Sequence, residues 1–388
     1  MKRLDCLDGL RGVLAMYVAL GHMAPFALLP LWLQSAISHG GAAVDVFFIL
    51  SGLVISQSLA RLHGDRGRFL MARVLRIYLV YLPVFVLAIA VQPLSCGFAQ
   101  MPWIGTGNPA RDLFTQHWPD DPGIALASHL AMVHGLLPNG VLPDLWISFL
   151  GAAWSLSTEW QFYILAMLAW RCGDNRLTIE LLLLALAGLS WQTLAPEPWQ
   201  FSRAFLPNKA HFAHFFALGV ASRAVVRGEL TAWRRYAAVA ILTVAVCAAH
   251  GQAGKLLPPL IWTLCLAAQL CPRIPALHTL HVLLRCRTAL WLGAISYPIY
   301  LVNEPIQKLL LSTLSRFALG DPLLFNVVWL PLAVGAPILA SAWLHRWIEM
   351  PAMRWRRTST AIARRPHTDS NTGIAAVPVA VQGPKRGL

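Results

Sequence analysis

The stretch LDGLRGVLAMYVALGH, Leu7 to His22, decides how this chain is read. It has the apolar density of a membrane helix, yet Arg11 opens it and His22 follows eleven residues later. Eleven residues make three helical turns plus about 20°, so both side chains leave one face, about 16 Å apart along the axis. Ionisable groups inside an apolar span are costly and mark functional positions. Each also has a plain reading. Arg11 suits a snorkelling topology anchor paired with Asp8 one turn earlier, and His22 suits a bundle-facing ring bonded to a neighbouring helix.

The rest of the chain supports the membrane reading. Of 388 residues, 57% are hydrophobic and 12% charged, against about 25% charged in soluble domains. Mean hydropathy is +0.57. Length alone would suggest two or three soluble domains, but the even spread of apolar blocks predicts one all-α, polytopic integral-membrane bundle. The blocks lie near 10–30, 43–60, 74–94, 147–170, 177–195, 210–226, 234–250, 256–271, 288–311 and 325–345. Each approaches the length needed to cross a core of about 30 Å. Ten crossings put both termini on one side. With the N-terminus cytoplasmic, 25 of the 31 Lys and Arg residues fall on cytoplasmic segments and six outside, the bias that orients membrane proteins. The net charge of +14 is therefore an orientation signal, and composition excludes a soluble nucleic-acid-binding role.

The first block is long enough to span and is followed by no small-residue cleavage site, so it is not expected to be a removable signal peptide. Of the seven cysteines, only Cys96 falls in an external loop, and no CxxC pair exists; neither a disulfide framework nor a metal site is expected. The longest excursion, near 95–146, contains DPGIALASHLAMVHGLLPNG (Asp121–Gly140), which carries His129 and His134 and reads as an interfacial or re-entrant helix. Residues 1–355 form the transmembrane domain. The tail 356–388 loses periodicity and is expected to be disordered.

Further polar residues punctuate the apolar blocks. GGAAVDVFFILSGLVIS (40–56) places Asp45 just inside a span, where an acid also suits a helix start. ARVLRIYLVYLP (72–83) puts Arg73 and Arg76 on one face entering the membrane, as orientation signal or as a phosphate grip. WSLSTEWQFY (154–163) buries Glu159, which must find a partner or stay protonated. LGAISYPIYLVNEPIQ (292–307) carries Tyr297, Asn303 and Glu304, and HRWIEMPAMRW (345–355) carries Glu349.

In this order, LDGLRG…H, AVDVFFILSG, ARVLRIY, WSLSTEWQFY, ISYPIYL and IEMPA resemble the successive motifs of acyltransferase family 3, from about Leu7 to Arg354. The family comprises integral-membrane acyltransferases that modify bacterial surface carbohydrates and related acceptors. The resemblance implies that His22 is the essential histidine, that Arg11 belongs to its motif, and that Arg73 and Arg76 engage an acyl-CoA donor. Trp154, Ser155, Tyr297, Asn303 and Glu304 are expected on the acceptor side. Two departures stand out. Many members carry a histidine-containing WHWP-type sequence where Asn303-Glu304-Pro305 stands here. Many also have two acids after WSLS, where this chain has Glu159 followed by Trp160.

The expected chemistry follows from these residue types. Arg11, Arg73 and Arg76 at the inner lip would hold CoA phosphates, and the acyl-pantetheine arm would reach toward His22. Histidine titrates near neutrality, which suits general-base work; an acyl-histidine intermediate stays open. Asp45 or Glu159 is expected to orient the ring. No permanently bound cofactor is expected, only acyl-CoA, acetyl-CoA first, as donor. The partners are the lipid bilayer of a bacterial inner membrane and a carbohydrate or lipid-linked acceptor. A proton-coupled transporter would also show intramembrane His, Asp and Glu, but no paired repeat with broken spans is visible. A non-catalytic sensor that kept the fold is the third reading, disfavoured because Arg11, His22, Arg73 and Arg76 are all present.

Overall fold

In the computed structural model, proline, aspartate and glycine punctuation divides the apolar sequence into helices. The structure describes residues 4–94, 98, 101, 103–104, 114, 118–137, 142–170, 173–194, 212–249, 253–317 and 321–352. Among these, helices and turns occur and no strand does. In chain order the helices are α1 (Asp5–Met23), α2 (Leu31–Ile37), α3 (Gly40–Arg61), α4 (Arg66–Val91), α5 (Pro122–Leu130), α6 (Ala153–Ala169) and α7 (Asp174–Leu194). They continue with α8 (Ala213–Val226), α9 (Ala232–Ala249), α10 (Leu257–Leu270), α11 (Pro275–Leu284), α12 (Arg287–Ala294), α13 (Ser296–Arg316) and α14 (Pro322–Leu344). Asp65, Asp121 and Asp321 cap α4, α5 and α14 by accepting first-turn N–H groups at 2.8–3.1 Å, which satisfies donors the helix itself leaves open.

A helix stands at every expected span, with three differences. α1 ends at Met23, seven residues short of the expected boundary, because Pro25 allows only a 3₁₀ turn at Ala24–Phe26; a proline nitrogen cannot continue the ladder. The span expected at 288–311 is two helices, α12 and α13, broken at Ile295. α11, unforeseen, bends away from the α10 segment by 95°. By length and composition, three helical stretches suffice to cross a membrane: Leu31–Arg61, Arg66–Val91 and Pro322–Ala352, or four if the bent pair counts as one. The other helices are shorter, such as the 14 residues of α8, or carry charge, as α1 and α13 do. The tail expected at 356–388 and Cys96 lie outside the described residues.

Large apolar side chains cover much of the surface, and the apolar core they surround also holds buried polar groups. Leu31, Trp32, Leu183, Val327 and Leu339 are exposed, whereas Asn303, Gln307, Ser157 and Ser341 are fully buried. Such a pattern suits a helical protein bathed in lipid.

α1 lies against α3, α10, α12 and α13; α3 against α8; and α13 against α4 and α14. Two of these contacts are backbone on backbone. A Cβ on Gly293 would fall 2.0 Å from the Asp8 carbonyl, and one on Gly12 would fall 2.5 Å from the Gly293 nitrogen. Gly52 and Gly219 bring α3 and α8 equally close. Small residues at such crossings let dispersion contacts replace the hydrophobic drive that lipid cancels. The glycines of LDGLRG and of the ILSG segment thus build the crossings that fix α1 and α3.

Candidate active site

The two ends of the Arg11–His22 face enter different surroundings. Near its N-terminal end, Arg11 lies within electrostatic range of Arg76, Asp8, Glu349 and Glu159. Glu349 arrives from the π-helical turn His345–Glu349 that follows α14, where it also pairs with His345 at 2.8 Å. Arg73 and Arg76, three residues apart on α4, divide in role. Arg73 is buried, its guanidinium 5.4 Å from the Phe69 ring centroid and 5.3 Å from that of Tyr163, a cation–π arrangement. Arg76 is exposed. Glu159 is the hub: it accepts short hydrogen bonds from the Ser51 and Tyr163 hydroxyls and feels Arg11 and Arg73. Its charge, a liability in an apolar span, is thereby compensated.

At the other end, His22 occupies the last turn of α1, half-buried, with Nδ1 2.7 Å from Asn303 Oδ1. Asn303 is fully buried on α13, with thirteen further residues of that helix beyond it. Although α1 stops here, its neighbour continues, so His22 lies within the bundle. The α1 terminus is itself held: Trp329 Nε1 donates to the Met23 carbonyl at 3.2 Å, and Gln307 Nε2 donates to the Ala19 and Ala333 carbonyls, both at 3.1 Å.

The remaining acceptor-side residues tie helices together. Glu304 accepts the Gly151 and Ala152 N–H groups at 2.9 and 3.0 Å, one on each carboxylate oxygen, and so caps α6. A carboxylate suits that end of the helix dipole. A Cβ at Gly151 would come within 3.0 Å of those oxygens. Ser155 Oγ and Tyr300 Oη share a 2.7 Å hydrogen bond. Tyr297 donates to the Ile77 carbonyl at 2.9 Å, joining α13 to α4, and Trp154 packs edge-on against Phe48 and Trp146.

Arg11, Arg73, Arg76, Glu159 and Tyr297 are therefore brought together, His22 meets Asn303, and Ser155 with Glu304 joins α6 to α13. Asp45 stands elsewhere: 1% exposed, it pairs with Lys255 Nζ at 2.7 Å, beneath the Phe212 ring. The ring partner expected to be Asp45 or Glu159 is instead Asn303. Sequence gave no sign of this, because the partners are 281 positions apart.

A model described as an acyltransferase domain, that of acyltransferase family 3, matches residues 4–347. The chain belongs to this family. A protein of Rhizobium radiobacter named protein 2 in the picA locus is 31% identical over 165 residues, covering 41% of this chain and 78% of the relative. The acyltransferase MdmB of Streptomyces mycarofaciens is 25% identical over 95% of this chain and 96% of its own length. No solved structure matches. The matched range takes in the segments from LDGLRG to ISYPIYL and ends just before IEMPA, and the chain is an acyltransferase with the helices of a membrane protein.

Proposed function

We propose that this family member is an O-acyltransferase of the bacterial inner membrane. It crosses ten times with both termini cytoplasmic, and moves an acyl group, acetyl first among the candidates, from cytoplasmic acyl-CoA to a hydroxyl of a carbohydrate acceptor such as exopolysaccharide or lipopolysaccharide. The observation that carries this reading is the single face of α1, which takes Arg11 into the arginine cluster and His22 into the bundle, about 16 Å away. One end suits the anionic part of the donor and the other its thioester.

In this reading Arg76 and Arg11 hold donor phosphates, Arg76 because it is the exposed member of its pair. Arg73, packed between two rings, keeps Glu159 in place. His22 Nε2 takes the proton of the acceptor hydroxyl while that oxygen attacks the thioester carbonyl carbon. The C–O bond forms, the C–S bond breaks, and the departing thiolate recovers the proton from the imidazolium, giving an ester and free CoA. A histidine acting as general base typically contributes about 10²–10⁴-fold.

The test is His22→Ala in a producing strain, with mass analysis of the envelope polysaccharide. Acylation should disappear at normal protein level; undiminished acylation would overturn the reading. For the donor, Arg76→Ala should raise the KM for acyl-CoA about 10–100-fold, the scale of one charge-assisted hydrogen bond, with insertion intact. Unchanged donor binding would return Arg76 to an orientation role.

A further inference from the structure

We infer that Asn303 is the positioning residue of His22: it fixes the ring in the tautomer that carries hydrogen on Nδ1 and leaves Nε2 as the base. The inference deepens the proposed function and rests on it.

The argument is one of satisfied donors. The Asn303 amide nitrogen donates to the Ile299 and Tyr300 carbonyls, both at 2.8 Å. An amide has two N–H donors and one carbonyl oxygen, and both donors are used, so the atom that faces the ring is Oδ1. Turning the amide over would set its oxygen against two carbonyl oxygens. Oδ1 only accepts, so His22 Nδ1, 2.7 Å away, must carry the hydrogen. A neutral imidazole has one such hydrogen. Nε2 therefore holds the lone pair, the state a general base requires.

The amide is itself anchored. Tyr300, whose carbonyl it holds, is bonded to Ser155 on α6, and the next residue, Glu304, caps α6. Asn303 stands where α13 is tied on both sides. In Ser-His-Asp sites a carboxylate holds the ring in its tautomer. Here the carboxylates that sequence offered for that task are engaged elsewhere, Asp45 by Lys255 and Glu159 by Ser51 and Tyr163. A neutral amide does the orienting without adding charge to the bundle interior.

The experiment uses the full-length protein in detergent with acyl-CoA and an acceptor, and reads kcat, donor KM and the ¹⁵N signals of His22. Asn303→Leu should lower kcat at least about 10-fold, a part of the roughly 10²–10⁴-fold that a general base contributes. Donor KM should stay within about two-fold, since donor binding is not touched. The ¹⁵N signals should shift from the Nδ1–H toward the Nε2–H tautomer. Asn303→Asp should restore most of kcat: its second oxygen, facing two carbonyls, is held protonated, while the first still accepts from the ring. Retained kcat in Asn303→Leu, or lost kcat with an unchanged tautomer, would overturn the inference. So would an Nε2–H tautomer in the unmodified protein, a measurement independent of whether any variant folds. An inactive His22→Ala beside a fully active Asn303→Leu would sink the positioning role alone, whereas an active His22→Ala would sink the proposed function itself.

Discussion

The His22 site and the His129–His134 stack are built on opposite plans. His22 is half-buried, anchored through one ring nitrogen, and stands in a helix that ends one residue later. His129 and His134 are fully buried and stacked on each other, with ring centroids 4.0 Å apart and planes 7° apart. Phe85 stacks on His129 at 5.6 Å. His129 Nδ1 meets the Ala125 carbonyl at 3.0 Å, and His134 Nε2 meets the Ala153 carbonyl, at the start of α6, at 3.2 Å. The second site braces α5 and the loop behind it against α4 and α6. The difference teaches that a histidine in a membrane protein is judged by what its second nitrogen can reach, not by depth or by company.

The comparison can be broken most strongly at His22. His22→Ala should lower turnover about 10²–10⁴-fold while shifting the thermal midpoint in detergent by only a few degrees; a large stability loss would make the two sites alike. His134→Ala should do the converse. It removes a fully buried ring that stacks on His129 and its bond to the Ala153 carbonyl, costing about 1–3 kcal/mol, and specific activity per folded molecule should stay near that of the parent. A collapse of kcat with intact folding would give the stack a chemical role.

Acid sharpens the contrast. Burial, first of all, pushes His129 down to about 4, and burial together with the neighbouring ring lowers His134 as well. The unfolded chain takes up protons below about pH 6.5, where the folded stack does not. The stack's contribution is thus complete above that value and is lost as pH falls from about 6.5 toward 4. For His129 the loss reaches at most about 3 kcal/mol. Thermal midpoints measured across this range should fall with acid, and His129→Phe should flatten the fall; an unchanged slope would assign the acid sensitivity elsewhere. The smallest effect belongs to Tyr81→Phe, which removes the 3.2 Å hydrogen bond from Tyr81 to the His129 carbonyl and should cost about 1 kcal/mol.

Much of this was legible in sequence, and the reasons for the rest are physical. Periodicity and apolar density located the helices, because lipid-facing and core-facing residues are both apolar over whole spans. Helix phase put Arg11 and His22 on one face because that depends only on local geometry. What remained hidden was pairing at long range. Lys255 for Asp45, Asn303 for His22 and the α6 terminus for Glu304 are separated by 210, 281 and about 152 positions, and no local rule joins them. The break at Ile295 was invisible because the apolar run continues through it. The early end of α1 did carry a sign, Pro25, outweighed by the apolar sequence after it. Arg73 and Arg76 looked equivalent because side-chain spacing does not reveal which one two rings enclose.

The glycine contacts between α1 and α12 make the first helix a gauge block. With Asp8, Gly12 and Gly293 in backbone contact, α1 has little room to slide or roll against α12, and because one unbroken helix carries both residues, helical rise alone sets the interval between Arg11 and His22. If the proposed donor lies along that interval, engineering toward a longer or shorter one should leave that helix alone and recut the helices that face it.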